Sequence, residues 1–202
     1  MKKLSTLPPF DEEHRRRMRQ LLDDHAAACS GSALVGYTAI DSPIGRLLLA
    51  ATELGLVRVA FESEGIDAVL AELAAQITPQ VVEAPEQLRP FAAQIDEYFA
   101  GQRRDFDLPL DWRLATGFRG QVQRHLMTIP FGSTQSYSEI AAALGRPNAV
   151  QAVGSGCAQN PIPLIVPCHR VLRADGSLGG YRGGLEAKEL LLELEAAERW
   201  LY

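Results

Sequence analysis

The chain has 202 residues, of which 47% are hydrophobic and 22% charged, and its formal net charge is −5. This is an ordinary globular composition, able to bury a core, and it has no repeat or low-complexity stretch. No apolar run approaches the roughly 20 residues of a membrane span, and Met1-Lys2-Lys3-Leu4 does not begin a signal peptide. We therefore expect a cytoplasmic protein with no membrane partner.

The three cysteines, Cys29, Cys157 and Cys168, form no CxxC pair, and their odd number favours reduced thiols over a disulfide framework. His25 and Cys29 stand four residues apart on a predicted helix and could share a metal ion. A structural zinc site needs about four ligands, however, and no second pair lies nearby. We predict no metal.

The N-terminal half divides into an extension and a scaffold. In residues 1–32, Asp11 can cap a helix with one apolar stripe. Residues 33–111 begin with a β meander that ends at Phe61. Two helices follow, one capped by Asp67 and ending near Ile77, the other near 85–100. The last segment, 106–110, alternates and contains a proline, which predicts an edge strand or a linker. Nothing in this half suggests catalysis.

Residues 112–202 form the second predicted domain, which is mostly helical. Thr116 caps a helix that ends before Pro130, and Ser136 with Glu139 fits a capping box for a short helix, 139–144. After a break at 145–147, Asn148 opens a further helix to about Gln159. This spacing is typical of a helix-turn-helix, whose second helix enters DNA.

The charge is unevenly distributed along the chain. Residues 112–185 hold seven arginines against Glu139 and Asp175, a balance of +5, although the whole chain is acidic. Positive charge near phosphates releases counterions and supplies affinity that does not depend on sequence. The imbalance favours a DNA-contacting surface in this domain, although an ordinary solvated surface could also show it.

The stretch from Asn160 to Val171 carries the most distinctive residues. Three prolines exclude a helix, Leu164-Ile165-Val166 predicts a short buried strand, and a cysteine, a histidine and an arginine follow Pro167. A cysteine on an apolar strand is often only a core residue, and its histidine neighbour a satisfied hydrogen-bonding group. Adjacent side chains of an extended segment point to opposite faces, so His169 would reach Cys168 through a bend or a water.

The motif Pro167-Cys168-His169-Arg170-Val171, preceded by Asn160-Pro161, resembles the active-site signature of the O6-alkylguanine-DNA alkyltransferases, also called methylated-DNA–protein-cysteine methyltransferases. The resemblance runs from about Tyr37 to Glu195 and is dense after Phe118. It implies an α+β fold, in which an N-terminal β-meander, ribonuclease-H-like domain packs on a mostly helical C-terminal domain with a helix-turn-helix.

The resemblance also implies a reaction. An alkyl group would pass from O6-alkylguanine (or O4-alkylthymine) in double-stranded DNA to Cys168, once per protein molecule and without a cofactor. The damaged base would be flipped out of the duplex, which the protein enters through the minor groove as a monomer.

Several residues match the functional positions of the family. Cys168 would be the alkyl acceptor, His169 its base, Glu195 the carboxylate that orients the histidine, and Asn160 a hinge. Without the resemblance, Glu193 and Glu198 would be nearly as plausible as Glu195. The residues that match substrate-binding or DNA-binding positions are Tyr137, Gln151, Arg170, Tyr181, Arg182 and Gly183. Of these, Arg170 is expected to be mainly structural, and the role of the matching Lys188 is undefined.

Two positions depart from the family pattern. Gln151 stands where an arginine usually fills the gap left by the flipped base, and Gln123 stands where a tryptophan is usual. Glutamine lacks the charge and the planar fork of arginine, so we expect weaker flipping and weaker DNA affinity with intact transfer chemistry.

Three other functions fit parts of the sequence. A lesion sensor without transfer activity would not need Cys168, and a helix-turn-helix regulator would need base-reading side chains on the second helix. A Cys-His-Glu hydrolase would need an oxyanion hole, of which the sequence gives no sign.

Overall fold

The computed structural model describes residues 34–199, and the first element in this range is a four-stranded sheet. The predicted helix after Asp11, with His25 and Cys29, lies outside the described residues. The strands are β1 (Val35–Ile40), β2 (Leu47–Thr52), β3 (Gly55–Phe61) and β4 (Val81–Glu83), in the spatial order β3-β2-β1-β4. The first three form the predicted antiparallel meander, whereas β4, which the sequence did not predict, pairs with β1 in parallel.

Both faces of the sheet are covered, so every residue of β2 and β3 is buried. Alternate residues of a strand point to opposite faces, and Leu47 and Leu49 therefore join one core while Leu48 joins the other. Helix α1 (Ile66–Gln76) covers the second face through Val69 and Leu73. Helix α2 (Pro85–Phe99) covers the first face, which is shared with the C-terminal domain.

One local prediction for this half is wrong. Gly65, with a φ of 79°, and not Asp67 precedes the first helix, because glycine adopts that left-handed conformation without strain. Asp67 lies in the first turn, where a carboxylate stabilises the positive end of the helix. Of the two alternatives predicted for segment 106–110, an edge strand or a linker, the structure has the linker, with a single bridge from Leu110 to Leu56.

The C-terminal domain contains helices α3 (Gly117–Leu126), α4 (Tyr137–Ala143), α5 (Val150–Ala158) and α6 (Leu185–Arg199). A short parallel pair, β5 (Gln135–Ser136) and β6 (Val171–Leu172), joins two of its loops. The capping box of Ser136 and Glu139 is confirmed, although α4 starts two residues earlier than predicted. Ala149, not Asn148, precedes α5. The predicted α+β class is confirmed.

The two domains are joined by backbone contacts and by one continuous apolar core. Val59 N in β3 donates to the carbonyl of Pro161 at 2.9 Å, and Arg58 Nη1 reaches the same oxygen at 3.3 Å. Within the C-terminal domain, α5 lies directly on α3, since a Cβ on Gly156 would be 3.0 Å from the Val122 side chain. These contacts fix the segment that follows α5.

Within residues 34–199, none of the helices combines the length and apolar character that a membrane crossing requires. The same residues contain no group of three or more His, Cys, Asp or Glu side chains placed to hold a metal ion.

Candidate active site

The segment between Asn160 and Cys168 is a buried turn, not the strand predicted for residues 164–166. Leu164 has a φ of 74°, and Val166 N donates to Ile162 O at 2.9 Å. The prolines lack the N–H donors that a strand ladder uses, which is why the chain folds back on itself. Asn160 closes the turn, since Nδ2 donates to Val166 O at 2.7 Å and Oδ1 accepts from Ile162 N at 3.1 Å.

Cys168, His169 and Arg170 form one 3₁₀ turn, and all three are buried. Successive residues of a 3₁₀ helix are about 120° apart around its axis, so adjacent side chains point in different directions. The imidazole and the guanidinium both contact Glu195 on α6, whereas the thiol makes no contact with that carboxylate. The tight turn thus separates the nucleophilic sulfur from the ion pair beside it.

Glu195 is 1% exposed and accepts hydrogen bonds on both carboxylate oxygens. Oε1 accepts from His169 Nε2 at 2.9 Å, from Tyr98 Oη at 2.7 Å and from Arg170 Nη2 at 2.9 Å. Oε2 accepts from the Gly132 amide at 2.9 Å and from Arg170 Nε at 3.0 Å. Burial alone would raise the pKa of Glu195, but the hydrogen bonds from His169 and Arg170 lower it to about 2. The carboxylate is therefore ionised.

The ionised carboxylate determines the tautomer of His169. It has no proton to donate, so the imidazole Nε2 must carry the hydrogen of their 2.9 Å contact. Burial lowers the pKa of His169, against the opposing effect of Glu195, and the ring is neutral at pH 7. Nδ1 is then an acceptor, and it is buried with no partner among the described residues. This nitrogen is free to take a proton.

Cys168 is 5% exposed, and burial raises the pKa of its thiol. A hydrogen bond from the Asn160 side chain and the positive charges of Lys188 and Arg182 oppose that rise. The Lys188 ammonium is itself buried and donates to Val171 O at 2.6 Å. Because burial is the largest effect, the resting group is a thiol, and forming the reactive thiolate requires a base.

A cavity of about 410 Å³ opens next to this turn. Its walls come from α4, α5 and the glycine-rich loop, residues 179–184, and they are formed by Tyr137, Gly154, Ala158, Gly180, Tyr181 and Arg182. Cys168 is not among the lining residues, but its thiol is near enough to contribute, after burial, to the raised pKa of both tyrosines. The Tyr181 hydroxyl is buried without a partner among residues 34–199.

The remaining predicted site residues have different environments. Gly183 packs against the Phe61 ring, where a Cβ would be 2.4 Å from the nearest ring atom. Gln151 is exposed in the first turn of α5. Arg170 is buried, with Nη1 donating to Ile129 O at 2.6 Å, which fits the mainly structural role expected of it. Among the acidic alternatives on α6, Glu193 is exposed, and the carboxylate at His169 belongs to Glu195.

Comparison with known proteins decides the family. The model of the 6-O-methylguanine DNA methyltransferase ribonuclease-like domain matches residues 35–112, and that of the DNA binding domain matches residues 117–197. The methylated-DNA–protein-cysteine methyltransferase of Methanosarcina barkeri is 41% identical over 159 residues, 79% of this chain and 96% of that protein. The chain belongs to this family. The resemblance of the signature to the alkyltransferases is thereby confirmed.

Solved structures of alkyltransferases support the assignment. The Mycobacterium tuberculosis O6-methylguanine methyltransferase matches with a TM-score of 0.70 and 38% identity, covering 82% of this chain and 94% of that one. Mycobacterium tuberculosis OGT in complex with DNA matches with a TM-score of 0.68 and 39% identity, covering 81% and 94%.

Gln123, one of the two residues noted above as departures from the family pattern, is 1% exposed. Its Nε2 donates to Gly156 O and to Gln159 O, both at 3.1 Å, and so holds the end of α5 against α3. A side chain enclosed between two helices does not reach DNA, so any effect of Gln123 on flipping or DNA affinity would be indirect, and the weaker affinity expected of this chain stays a prediction.

The N-terminal domain of this alkyltransferase contributes groups that the sequence did not reveal. Tyr98 donates to Glu195, and Glu64 Oε2 lies 2.5 Å from Arg58 Nη2 and 3.3 Å from Arg182 Nη1. Tyr98 occupies the apolar stripe of α2, and a tyrosine at such a position is usually read as core. Only its hydroxyl group could have indicated a contact with the active site, since a buried tyrosine hydroxyl needs a polar partner.

Proposed function

We propose that this chain repairs DNA by direct reversal, moving a methyl or other alkyl group from O6-alkylguanine to the sulfur of Cys168. The observation that carries the proposal is the 3₁₀ turn that connects Cys168 to His169, a neutral imidazole with an unpartnered Nδ1 and an ionised Glu195 behind it. A thiol of raised pKa beside such a base is inert until substrate arrives and becomes nucleophilic when its proton is removed.

The reaction begins with transfer of the Cys168 proton to His169 Nδ1. The transfer goes through a water molecule, because the two adjacent side chains point in different directions from the 3₁₀ turn. The imidazolium that forms is stabilised by the Glu195 carboxylate. The thiolate then attacks the alkyl carbon in line with the C–O bond, so a C–S bond forms as the C–O bond breaks. The electron pair of the broken bond goes to guanine, and the proton taken from the thiol is passed from His169 to the guanine. The thioether is permanent, and each molecule acts once.

The cavity supplies the place for the flipped base. Two of its six lining residues are Tyr137 and Tyr181, whose rings offer apolar surface, and the Tyr181 hydroxyl, which has no partner among the described residues, can hydrogen-bond a base. Tyr137 can donate to the guanine ring as it receives the electron pair. Arg182 and the backbone at Gly183 complete the loop on the other side.

The DNA duplex would be held by α5, the second helix of the proposed helix-turn-helix. α4 and α5 are joined by the six residues 144–149, and the surface of α5 is built largely of small residues that permit close approach to a groove. The arginines of residues 112–185 supply charge for phosphates. Minor-groove entry, action as a monomer, O4-alkylthymine as a second substrate and a cytoplasmic location rest on the sequence and the family.

The test is to mix reduced protein with a duplex containing one O6-methylguanine and to map methylated peptides by mass spectrometry. Methyl transfer should occur on the Cys168 peptide, at no more than one group per molecule. Cys157, which is also buried in this domain, provides an internal control and should stay unmodified. A folded, reduced protein that leaves Cys168 unmodified would refute the proposal, and Cys168→Ser should abolish transfer while duplex binding persists.

A further inference from the structure

Tyr98 connects the N-terminal domain to the carboxylate of the active site. It lies near the end of α2, is 1% exposed, and places its hydroxyl 2.7 Å from Glu195 Oε1. Because an ionised carboxylate only accepts, the hydroxyl must donate. Among residues 34–199, this is the one hydrogen bond that Glu195 receives from the N-terminal half of the chain.

The tyrosine is held in place by its ring. Phe99, Phe106 and Phe131 surround it with ring centroids 5.5, 5.2 and 6.0 Å away. Aromatic packing of this kind fixes a side chain without the help of its polar atom. The hydroxyl is therefore not needed to hold the ring, and its hydrogen bond to Glu195 Oε1 requires a different explanation.

We propose that Tyr98 is a positioning residue for alkyl transfer: its hydroxyl sets the charge and position of the Glu195 oxygen that orients His169. The inference rests on the proposed function, in which His169 Nδ1 is the base. His169 Nε2 and Tyr98 Oη share the same acceptor atom, so the two hydrogen bonds compete for its electron density. The N-terminal domain thus tunes the basicity of the imidazole in addition to supporting the fold.

The direction of the effect follows from this competition. Donation by Tyr98 withdraws negative charge from Oε1 and so weakens its stabilisation of the His169 imidazolium. Loss of the hydroxyl should therefore raise the pKa of His169 and leave less neutral base at mildly acidic pH. The other titratable or charged groups around His169 come from its own turn, from α6 and from the glycine-rich loop, and they are Cys168, Arg170, Lys188, Glu195 and Tyr181. All of them are unchanged in the test.

The experiment compares wild type with Tyr98→Phe, in which the ring packing is kept and only the hydroxyl is lost. The pKa of His169 is measured by NMR, and single-turnover methyl transfer to Cys168 is measured across pH. We expect the His169 pKa to rise by roughly half a unit, which lowers transfer on the acidic limb about threefold and leaves the plateau at higher pH unchanged. Tyr37→Phe removes a hydroxyl from the same domain, next to the other core, and should change neither quantity.

A second substitution tests the opposite sign while keeping the hydroxyl group. One ring fluorine on Tyr98, introduced by replacing it with 3-fluorotyrosine, makes the hydroxyl a stronger donor and should lower the His169 pKa. Unchanged His169 pKa values in both variants would overturn the proposal, as would a drop in rate that is equal at every pH. Wild-type protein that transfers no methyl group would instead refute the proposed function, and the NMR titration would still report on Tyr98.

Discussion

His169 Nε2 lies 2.9 Å from Glu195 Oε1, and the two side chains are 0% and 1% exposed. Two buried polar groups of this kind are stable only when their remaining partners are also satisfied. Glu195 achieves this with Arg170, Tyr98 and the Gly132 amide, whereas His169 leaves Nδ1 without a partner among the described residues. The one unsatisfied atom of the pair is the atom that the proposed chemistry needs.

Replacing Glu195 by Gln should impair both transfer and stability. The amide cannot balance the charge of the buried Arg170 guanidinium, and losing one partner of such a pair costs about 3–5 kcal/mol in the free energy of unfolding. It also no longer stabilises the His169 imidazolium, so single-turnover transfer should slow by roughly 10²–10⁴. Single-turnover methylation assays, quenched at set times, measure the transfer rate, and urea unfolding measures the free energy of unfolding. Glu193→Gln, at an exposed position of the same helix, should change neither, and wild-type transfer by Glu195→Gln would contradict the role of the carboxylate.

The same ion pair predicts loss of stability in acid. Glu195 has a pKa of about 2 in the fold against 4.5 as its ordinary value. A lowered carboxyl pKa stabilises the fold above pH 4.5, and that contribution, about 3 kcal/mol, is lost as pH falls toward 2. Burial also lowers the pKa of His169, so the unfolded chain takes up a proton before the native one and stability begins to fall below about pH 6.5.

Urea unfolding between about pH 7 and pH 3 measures this dependence. Wild type should lose stability in two stages, and Glu195→Gln should lack the lower one because it has no carboxyl group to protonate. Glu193→Gln should follow the wild-type curve. Identical acid dependence in all three proteins would show that the buried carboxylate does not contribute.

The predictable parts of this fold were those encoded locally. The meander, the capping box at Ser136 and the break between α4 and α5 depend on alternation, side-chain caps and turn residues that stand close together in the chain. Strand β4 has only three residues, too few to show an alternating pattern, and its parallel pairing with the distant β1 cannot be recognised from the local sequence. The segment 164–166 has the apolar character of a strand, but the flanking Pro161, Pro163 and Pro167 lack the N–H donors that a strand ladder would use.

The candidate site divides in the same way. Cys168 and His169 are adjacent in the sequence, and a family motif marks them. Tyr98 is 97 residues from Glu195, and no periodicity encodes a contact of that range. The resemblance assigned Glu195, but periodicity alone could not separate it from Glu193 in a helix rich in glutamate, and the packing of α6 on the 3₁₀ turn supplies the physical reason.

The glycine-rich loop offers a test of the cavity. A Cβ on Gly179 would be 2.3 Å from the Tyr137 hydroxyl oxygen, whereas a Cβ on Gly180 would meet nothing within 4 Å. Gly179→Ala should therefore push the Tyr137 ring from its place in the cavity wall and slow methyl transfer at least tenfold, as expected when a positioning contact is lost. The thermal midpoint should change little, because only the end of a half-buried side chain has to move.

Gly180→Ala is the matched control, with the same added methyl group on the same loop and no steric conflict. Gly180 also lines the cavity, so its added methyl group takes some space from the base, but Tyr137 keeps its place and the loss of rate should be smaller than for Gly179→Ala. Equal rates for the two variants would mean that Tyr137 does not need its position in this structure for the reaction.

Replacing Gln151 by Arg should speed repair of duplex DNA. Gln151 is exposed in the first turn of α5, so a longer side chain can be accommodated there without repacking. Arginine adds a charge and a planar fork, which can hold the orphaned base and attract the backbone. We expect a rise of roughly fivefold in the single-turnover rate on duplex substrate at moderate salt, and a steeper dependence of binding on salt.

The free O6-alkylguanine base needs no flipping and should react with both proteins at the same rate. If Gln151→Arg accelerates the free base equally, or leaves the duplex rate unchanged, the substitution does not act through flipping, and Gln151 is not what limits the reaction with DNA.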